Sequence, residues 1–177
     1  MLTLILGGAR SGKSRMAQKM AARYQRVCYL ATAPPTGDPE MIARIAKHRA
    51  DRPAGWQTIE EPLALADAVE RVAPGTDAVL VDCLTLWLSN IFWEHRDAPA
   101  TAIEQALRTN LQRIALAAKA CHVILVSNEL GSGTVPDASL TRAFRDMQGL
   151  LNQWAAQAAD EVLLSVAGLP LHLKAAS

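Results

Sequence analysis

Gly7-Gly8-Ala9-Arg10-Ser11-Gly12-Lys13-Ser14, set directly behind the apolar run of residues 2–6, is the stretch that decides the fold of this 177-residue chain. The spacing is that of a phosphate-binding loop. Glycines let the backbone curl until successive amide N–H groups surround a polyphosphate, and the positive end of the following helix adds to their attraction. Lys13 reaches the outer phosphates, and Ser14 offers its hydroxyl to the Mg2+ that travels with a nucleotide. Strand-like residues precede the loop and an Ala- and Met-rich helical stretch, residues 13–24, follows it, as the pattern requires.

Composition agrees. Half of the residues are apolar and one fifth charged, an ordinary globular balance. Residues 1–177 suffice for a single nucleotide-binding catalytic domain burying roughly 70% of its unfolded surface. A net charge of +1 gives no reason to invoke nucleic acid. Cys28, Cys83 and Cys121 stand far apart without a C-x-x-C pair, which argues against a disulfide framework and a zinc site. No apolar run approaches the roughly 18 residues of a membrane span. The start of the chain leads straight into the loop without a basic leader, so the expectation is a reduced, cytoplasmic protein.

Strand-like and helix-like segments alternate along the chain. Strands are expected at 27–31, 56–60, 78–82 and 123–127, and helices at 40–51, 63–72, 100–120 and 140–159. Ile103, Leu107, Leu111 and Ile114 form one core-facing stripe. Residues 162–166 and 169–174 flank Ala167 and Gly168 and read as a closing hairpin. In its second arm Leu169, Leu171 and Leu173 alternate with Pro170, His172 and Lys174, which predicts one buried and one wet face. The fold class is α/β: one P-loop domain, a mostly parallel sheet flanked by helices, and a C-terminal β-hairpin.

Such sheets bind ligands outside the carboxyl ends of their strands. Asp82 ends the buried run Ala78-Val79-Leu80-Val81 and is the candidate magnesium-linked carboxylate. Glu40, Arg44 and His48 are spaced four apart on one helix face, with Arg49 and Arg52 beside them. By spacing alone they read as a solvated face. A neutral imidazole is nevertheless a nucleophile near pH 7, and neighbouring arginines stabilise charge developing on phosphorus. For Asn128 and Glu129, after a core strand, a ligand contact and a turn role both remain open. Arg142, Arg145 and Asp146 read as a helix-surface ion network in preference to a contact with a substrate phosphate, His95 as surface and His122 as the opening of a strand. Trp87, Phe92 and Trp93 are too dense for an exposed helix and suggest a subunit contact or a substrate-facing wall.

Residues 7–15, 29–33, 40–52, 81–90, 126–136 and 142–152, with Ala159 and Asp160, together resemble the bifunctional adenosylcobinamide kinase/adenosylcobinamide-phosphate guanylyltransferases of cobalamin synthesis. Leu130 in place of valine and Lys47 in place of a second histidine are the departures. The resemblance implies two reactions: phosphorylation of adenosylcobinamide by ATP or GTP, then transfer of GMP from GTP through a guanylyl-histidine. The matching histidine is His48, which with Lys13 makes the implied catalytic pair. Gly7, Gly8, Ala9, Arg10, Ser11, Gly12, Lys13, Ser14, Ala31, Thr32, Ala33, Arg49, Ala50, Asp51, Arg52, Glu60 and Asp82 are the implied nucleotide contacts. Ser14 and Asp82 are the implied Mg2+ residues. The family also implies a homo-oligomer, a trimer. A small-molecule kinase of the same fold without a covalent step is the alternative, and a GTP-dependent switch is disfavoured because an Asn-Lys-x-Asp guanine motif is missing.

Overall fold

Six strands run parallel in one sheet of order β3-β2-β4-β5-β1-β6-β7, and β7 closes its edge antiparallel to β6. The strands are β1 (Leu2–Gly7), β2 (Val27–Ala31), β3 (Gln57–Glu60), β4 (Ala78–Asp82), β5 (His122–Asn128), β6 (Glu161–Val166) and β7 (Leu169–Lys174). The helices are α1 (Lys13–Ala21), α2 (Leu65–Val72), α3 (Leu84–Glu94), α4 (Ala100–Ala117) and α5 (Ser139–Ala158). This computed structural model describes residues 1–33, 39, 42–43, 46, 49 and 52–175, so the helix expected at 40–51 lies largely outside the described residues.

Successive residues of a strand face opposite sides of the sheet, and here both sides are covered. Leu2, Leu4, Leu30, Val79, Val81, Val123 and Leu125 face the cluster built by α2, α3, α4 and α5. Ile5, Tyr29, Leu80, Ile124 and Val126 face a thinner cluster with Ala17 and Ala21 of α1. That two-sided burial is why β1, β4 and β5 read as continuous aliphatic runs. The stripe Ile103, Leu107, Leu111 and Ile114 is buried as its spacing predicts. Trp87 is a fully buried core residue whose Nε1 donates to the Leu63 carbonyl at 2.8 Å, Phe92 packs edge-on to Phe144, and Trp93 is exposed. The aromatic cluster is thus divided between core and surface.

The second arm of the hairpin departs from expectation, since all six residues of β7 are exposed. Alternation buries a face only where another layer covers it, and β7 lies at the sheet's outer edge beyond β6. His122 does open β5, but it is buried and held at both ring nitrogens, by Thr3 Oγ1 and Tyr24 Oη at 2.8 Å each.

Candidate active site

The phosphate loop leaves β1 at Gly7 and turns into α1 at Lys13. Arg10 and Gly12 both take positive φ, 57° and 94°, and at Gly12 this left-handed backbone is what glycine permits without strain. The Ser11 amide donates to the Gly8 carbonyl at 3.2 Å, and Lys13 Nζ reaches back to the same carbonyl at 3.1 Å. Gly7 is pinned: a Cβ there would sit 2.4 Å from Ser11 Oγ and 2.8 Å from the Ser165 carbonyl. The hairpin buttresses the loop. Ser165 Oγ donates to the Ser11 carbonyl at 2.8 Å, as does the Gly168 amide. Ser11 Oγ is buried against Gly7 with no hydrogen-bond partner among the described residues.

Asp82 ends β4 at the same edge. Ser14 Oγ lies 3.5 Å from Asp82 Oδ1, and Tyr29 Oη donates to Asp82 Oδ2 at 2.8 Å. A hydroxyl and a carboxylate facing each other beside a phosphate loop are the hard oxygen donors that Mg2+ takes, with phosphate oxygens and water filling its other positions. The residues therefore fit the ion. Burial and the Asp82 charge push the Tyr29 phenol well above its ordinary range, so it remains a donor. The Arg52 guanidinium stacks 3.5 Å from the centre of the Tyr29 ring.

Around Arg52 opens a cleft of about 550 Å³ lined by Arg49, Arg52, Pro53, Ala54, Trp56, Thr58 and Glu60. Glu60 ends β3 beside Ala31 of β2, and Arg49 pairs with it. The structure thus brings Arg49, Arg52 and Glu60 into one cleft and joins it to the loop through Tyr29 and Asp82. Thr32 is buried: its hydroxyl donates to the Cys83 carbonyl at 2.7 Å and accepts from the Cys83 amide at 2.8 Å. Ala31 and Thr32 are buried, the Thr32 N–H and C=O are taken by the Asp82 carbonyl and Asn90 Nδ2, and Ala33 is half-buried. The Asp82–Cys83 peptide is cis. Burial pushes the Cys83 thiol up to about 11, so it is a packed group rather than a nucleophile.

Glu40, Arg44, His48, Ala50 and Asp51 lie outside the described residues. Arg145 pairs with Asp146, but Arg142 donates to the Pro136 and Asp137 carbonyls instead and braces the loop before α5. Sequence reasoning missed Tyr29, Ser165, Gly168 and Asn90, whose Nδ2 donates to the Thr32 and Pro62 carbonyls. Each acts on a partner distant in the chain, which leaves no local signature. Segments 29–33 and 81–90 carried the family resemblance, but it assigned no role to Tyr29 or Asn90 themselves.

Among the described residues no helix is long and apolar enough to cross a membrane. A family model described as cobinamide kinase / cobinamide phosphate guanyltransferase matches residues 3–173. The chain is 47% identical over 179 residues to the bifunctional adenosylcobalamin biosynthesis protein CobP of Pseudomonas aeruginosa, covering 98% of each. It is 38% identical over 182 residues to the bifunctional adenosylcobalamin biosynthesis protein CobU of Escherichia coli K12, covering 98% of this chain and 100% of the relative. Among solved structures, an ATPase of a bacterial type III secretion system superposes with a TM-score of 0.60 at 13% identity, over 97% of this chain and 56% of its own, a likeness of fold alone. With a phosphate-loop sheet as its framework and a match over nearly its whole length, the chain belongs to the cobinamide kinase / cobinamide phosphate guanyltransferase family, an enzyme family of two activities.

Proposed function

We propose that this enzyme phosphorylates the aminopropanol hydroxyl of adenosylcobinamide with ATP or GTP and then transfers GMP from GTP to the new phosphate. The observation that carries the kinase half is the Ser14 hydroxyl facing the Asp82 carboxylate beside the phosphate loop. Lys13 and the loop amides hold the β- and γ-phosphates while the acceptor hydroxyl attacks, so catalysis is positioning and charge neutralisation. Ser14 and Asp82 would hold Mg2+ there, and the ion would supply neutralisation of the charge on the phosphate oxygens.

The cleft holding Arg49, Arg52 and Glu60 supports the guanylyl half, with cations for a phosphate and a carboxylate for a base edge. His48, adjacent in sequence to Arg49, is the nucleophile. Its ring nitrogen attacks the α-phosphorus of GTP, the bond to the bridging oxygen breaks, and pyrophosphate leaves. The phosphate of adenosylcobinamide phosphate then attacks the same phosphorus, breaking the P–N bond and returning the imidazole. The product is adenosylcobinamide-GDP.

The test is incubation with α-labelled GTP and Mg2+. Label is expected on protein, lost in acid and stable in base, and absent from His48→Ala, which still phosphorylates adenosylcobinamide. Label retained by His48→Ala would overturn the histidine assignment, and no labelling of the wild type would leave a kinase without a covalent step. We also place the enzyme in the cytoplasm as a homo-oligomer, a trimer by family resemblance. The exposed apolar residues Val166, Leu169, Leu171 and Leu173 along the hairpin support an assembly face. Light scattering of the purified enzyme checks the subunit count.

A further inference from the structure

A buried polar cluster lies beneath the tip of β5, apart from the groups assigned above. Ser127 and Gln148 are fully buried and Asn152 is 8% exposed. Ser127 Oγ donates to Asn152 Oδ1 at 2.7 Å, and Gln148 Nε2 donates to Ser127 Oγ and Asn152 Oδ1 at 3.0 Å each. Asn152 Nδ2 donates to the Asn128 carbonyl at 3.0 Å. On the other side of that residue, the Asn128 amide donates to Thr85 Oγ1 at 2.9 Å. The next amide, Glu129, donates to the Gly7 carbonyl at 3.1 Å. Side chains from α3 and α5 and the backbone of β1 thus converge on one short stretch of chain.

Packing alone does not call for this arrangement. Replacing both partners of a buried hydrogen bond by apolar groups of the same shape is nearly neutral for stability, whereas a half-satisfied network is costly. Gln148 Oε1 is itself buried without a partner among the described residues, so the cluster is retained at some cost.

Its position suggests what it serves. β5 lies between β1 and β4, with Asn128 level with Gly7 and Val126 level with Asp82. Val123 and Leu125 face the α5 side and Ile124 and Val126 the α1 side. By the same alternation Ser127 faces α5 and Asn128 faces the side of the phosphate-loop helix. The Asn128 peptide is held at both its N–H and its C=O, while its carboxamide makes no hydrogen bond among the described residues. That leaves two N–H donors at the rim between the loop and Asp82.

We propose that Asn128 is a catalytic residue of the kinase step, its carboxamide donating to the phosphoryl group in flight, and that Thr85, Ser127, Gln148 and Asn152 are positioning residues that hold it there. This rests on the kinase reading given above. Charge on the transferring group is stabilised best by a donor that does not have to reorganise, and a donor whose peptide is clamped on both sides meets that condition.

The experiment is steady-state phosphorylation of adenosylcobinamide by the full-length enzyme carrying Asn128→Ala, Thr85→Val, Asn152→Ala and the pairwise combinations with Asn128→Ala. Asn128→Ala is expected to lower kcat about 10²-fold with the nucleotide KM nearly unchanged. Thr85→Val and Asn152→Ala should lower kcat as well, Thr85→Ser should restore it, and adding Asn128→Ala to either should cause little further loss. Wild-type kcat in Asn128→Ala, or fully multiplicative losses in the double variants, overturns the proposal. Asn128→Ala and the Thr85 variants decide the matter should Asn152→Ala not fold. A wild-type enzyme that makes no corrinoid phosphate from ATP or GTP overturns the kinase reading itself, an outcome distinct from any behaviour of the variants.

Discussion

Asp82 shows how little freedom a phosphate site leaves its residues. One carboxylate oxygen receives the Tyr29 hydroxyl and the other faces Ser14, so the group is aimed before any ligand arrives. Tyr29→Phe preserves the ring under Arg52 and removes only the hydroxyl. A hydrogen bond to a charged group contributes about 1.5–3 kcal/mol. The variant is therefore expected to melt several degrees lower and, with Asp82 no longer held by the phenol, to lose roughly tenfold in kinase kcat/KM, measured by calorimetry and a coupled assay. Unaltered kinetics would mean that Asp82 is held without the phenol. At this scale the loop and Asp82 were legible, because glycine spacing and a strand-end acid are local patterns. Tyr29 was not, since its partner stands 53 residues away.

Between elements, the hairpin and the phosphate loop act as one body. Gly168 (φ 82°) donates its amide to Ser11, and a Cβ on Gly12 would come within 3.0 Å of Gly168 Cα. Gly7 and Gly8 separate the consequences. A Cβ on Gly8 meets nothing within 4 Å, whereas one on Gly7 runs into the Ser165 backbone. Gly7→Ala should cost about 1–3 kcal/mol by overpacking and abolish the thermal shift given by ATP. Gly8→Ala should stay within about 1 kcal/mol. Chemical denaturation for stability and thermal melts with and without ATP make the comparison, and equal behaviour of the two variants would count against the buttress. The hairpin itself was readable from its turn, but the exposure of β7 was not, because alternation states which residues share a face and not whether a layer covers it.

On the scale of the whole molecule, the two ends of the sheet do different work. The site gathers at the carboxyl ends of β1 to β5, while at the opposite end His122 ties β1, β5 and the segment after α1 together. Burial, and next the N-terminal ammonium, push His122 down to about 4, against a smaller opposing pull from Asp160. Above pH 6.5 the ring is neutral folded and unfolded, so it adds no pH dependence. As pH falls from 6.5 towards 4 the unfolded chain takes up a proton that the folded protein refuses, and stability declines across that window. Melting temperature should therefore drop between pH 6.5 and 4, with a shallower slope in His122→Gln. Equal slopes would show that other groups carry the acid sensitivity.

The phosphate loop, the two-faced burial of the strands and the helix stripe were determined by the sequence itself, because each is a repeat of glycine spacing, period two or period 3.6 within one short segment. The family resemblance added His48 and its neighbours as the proposed guanylyl carrier and nucleotide contacts. Only the tertiary structure decided that Tyr29 aims Asp82, that Ser165 and Gly168 brace a loop about 155 residues earlier, and that Asn152 and Thr85 clamp Asn128. These contacts arise from sheet order and register, which bring together residues whose separation along the chain carries no period to read.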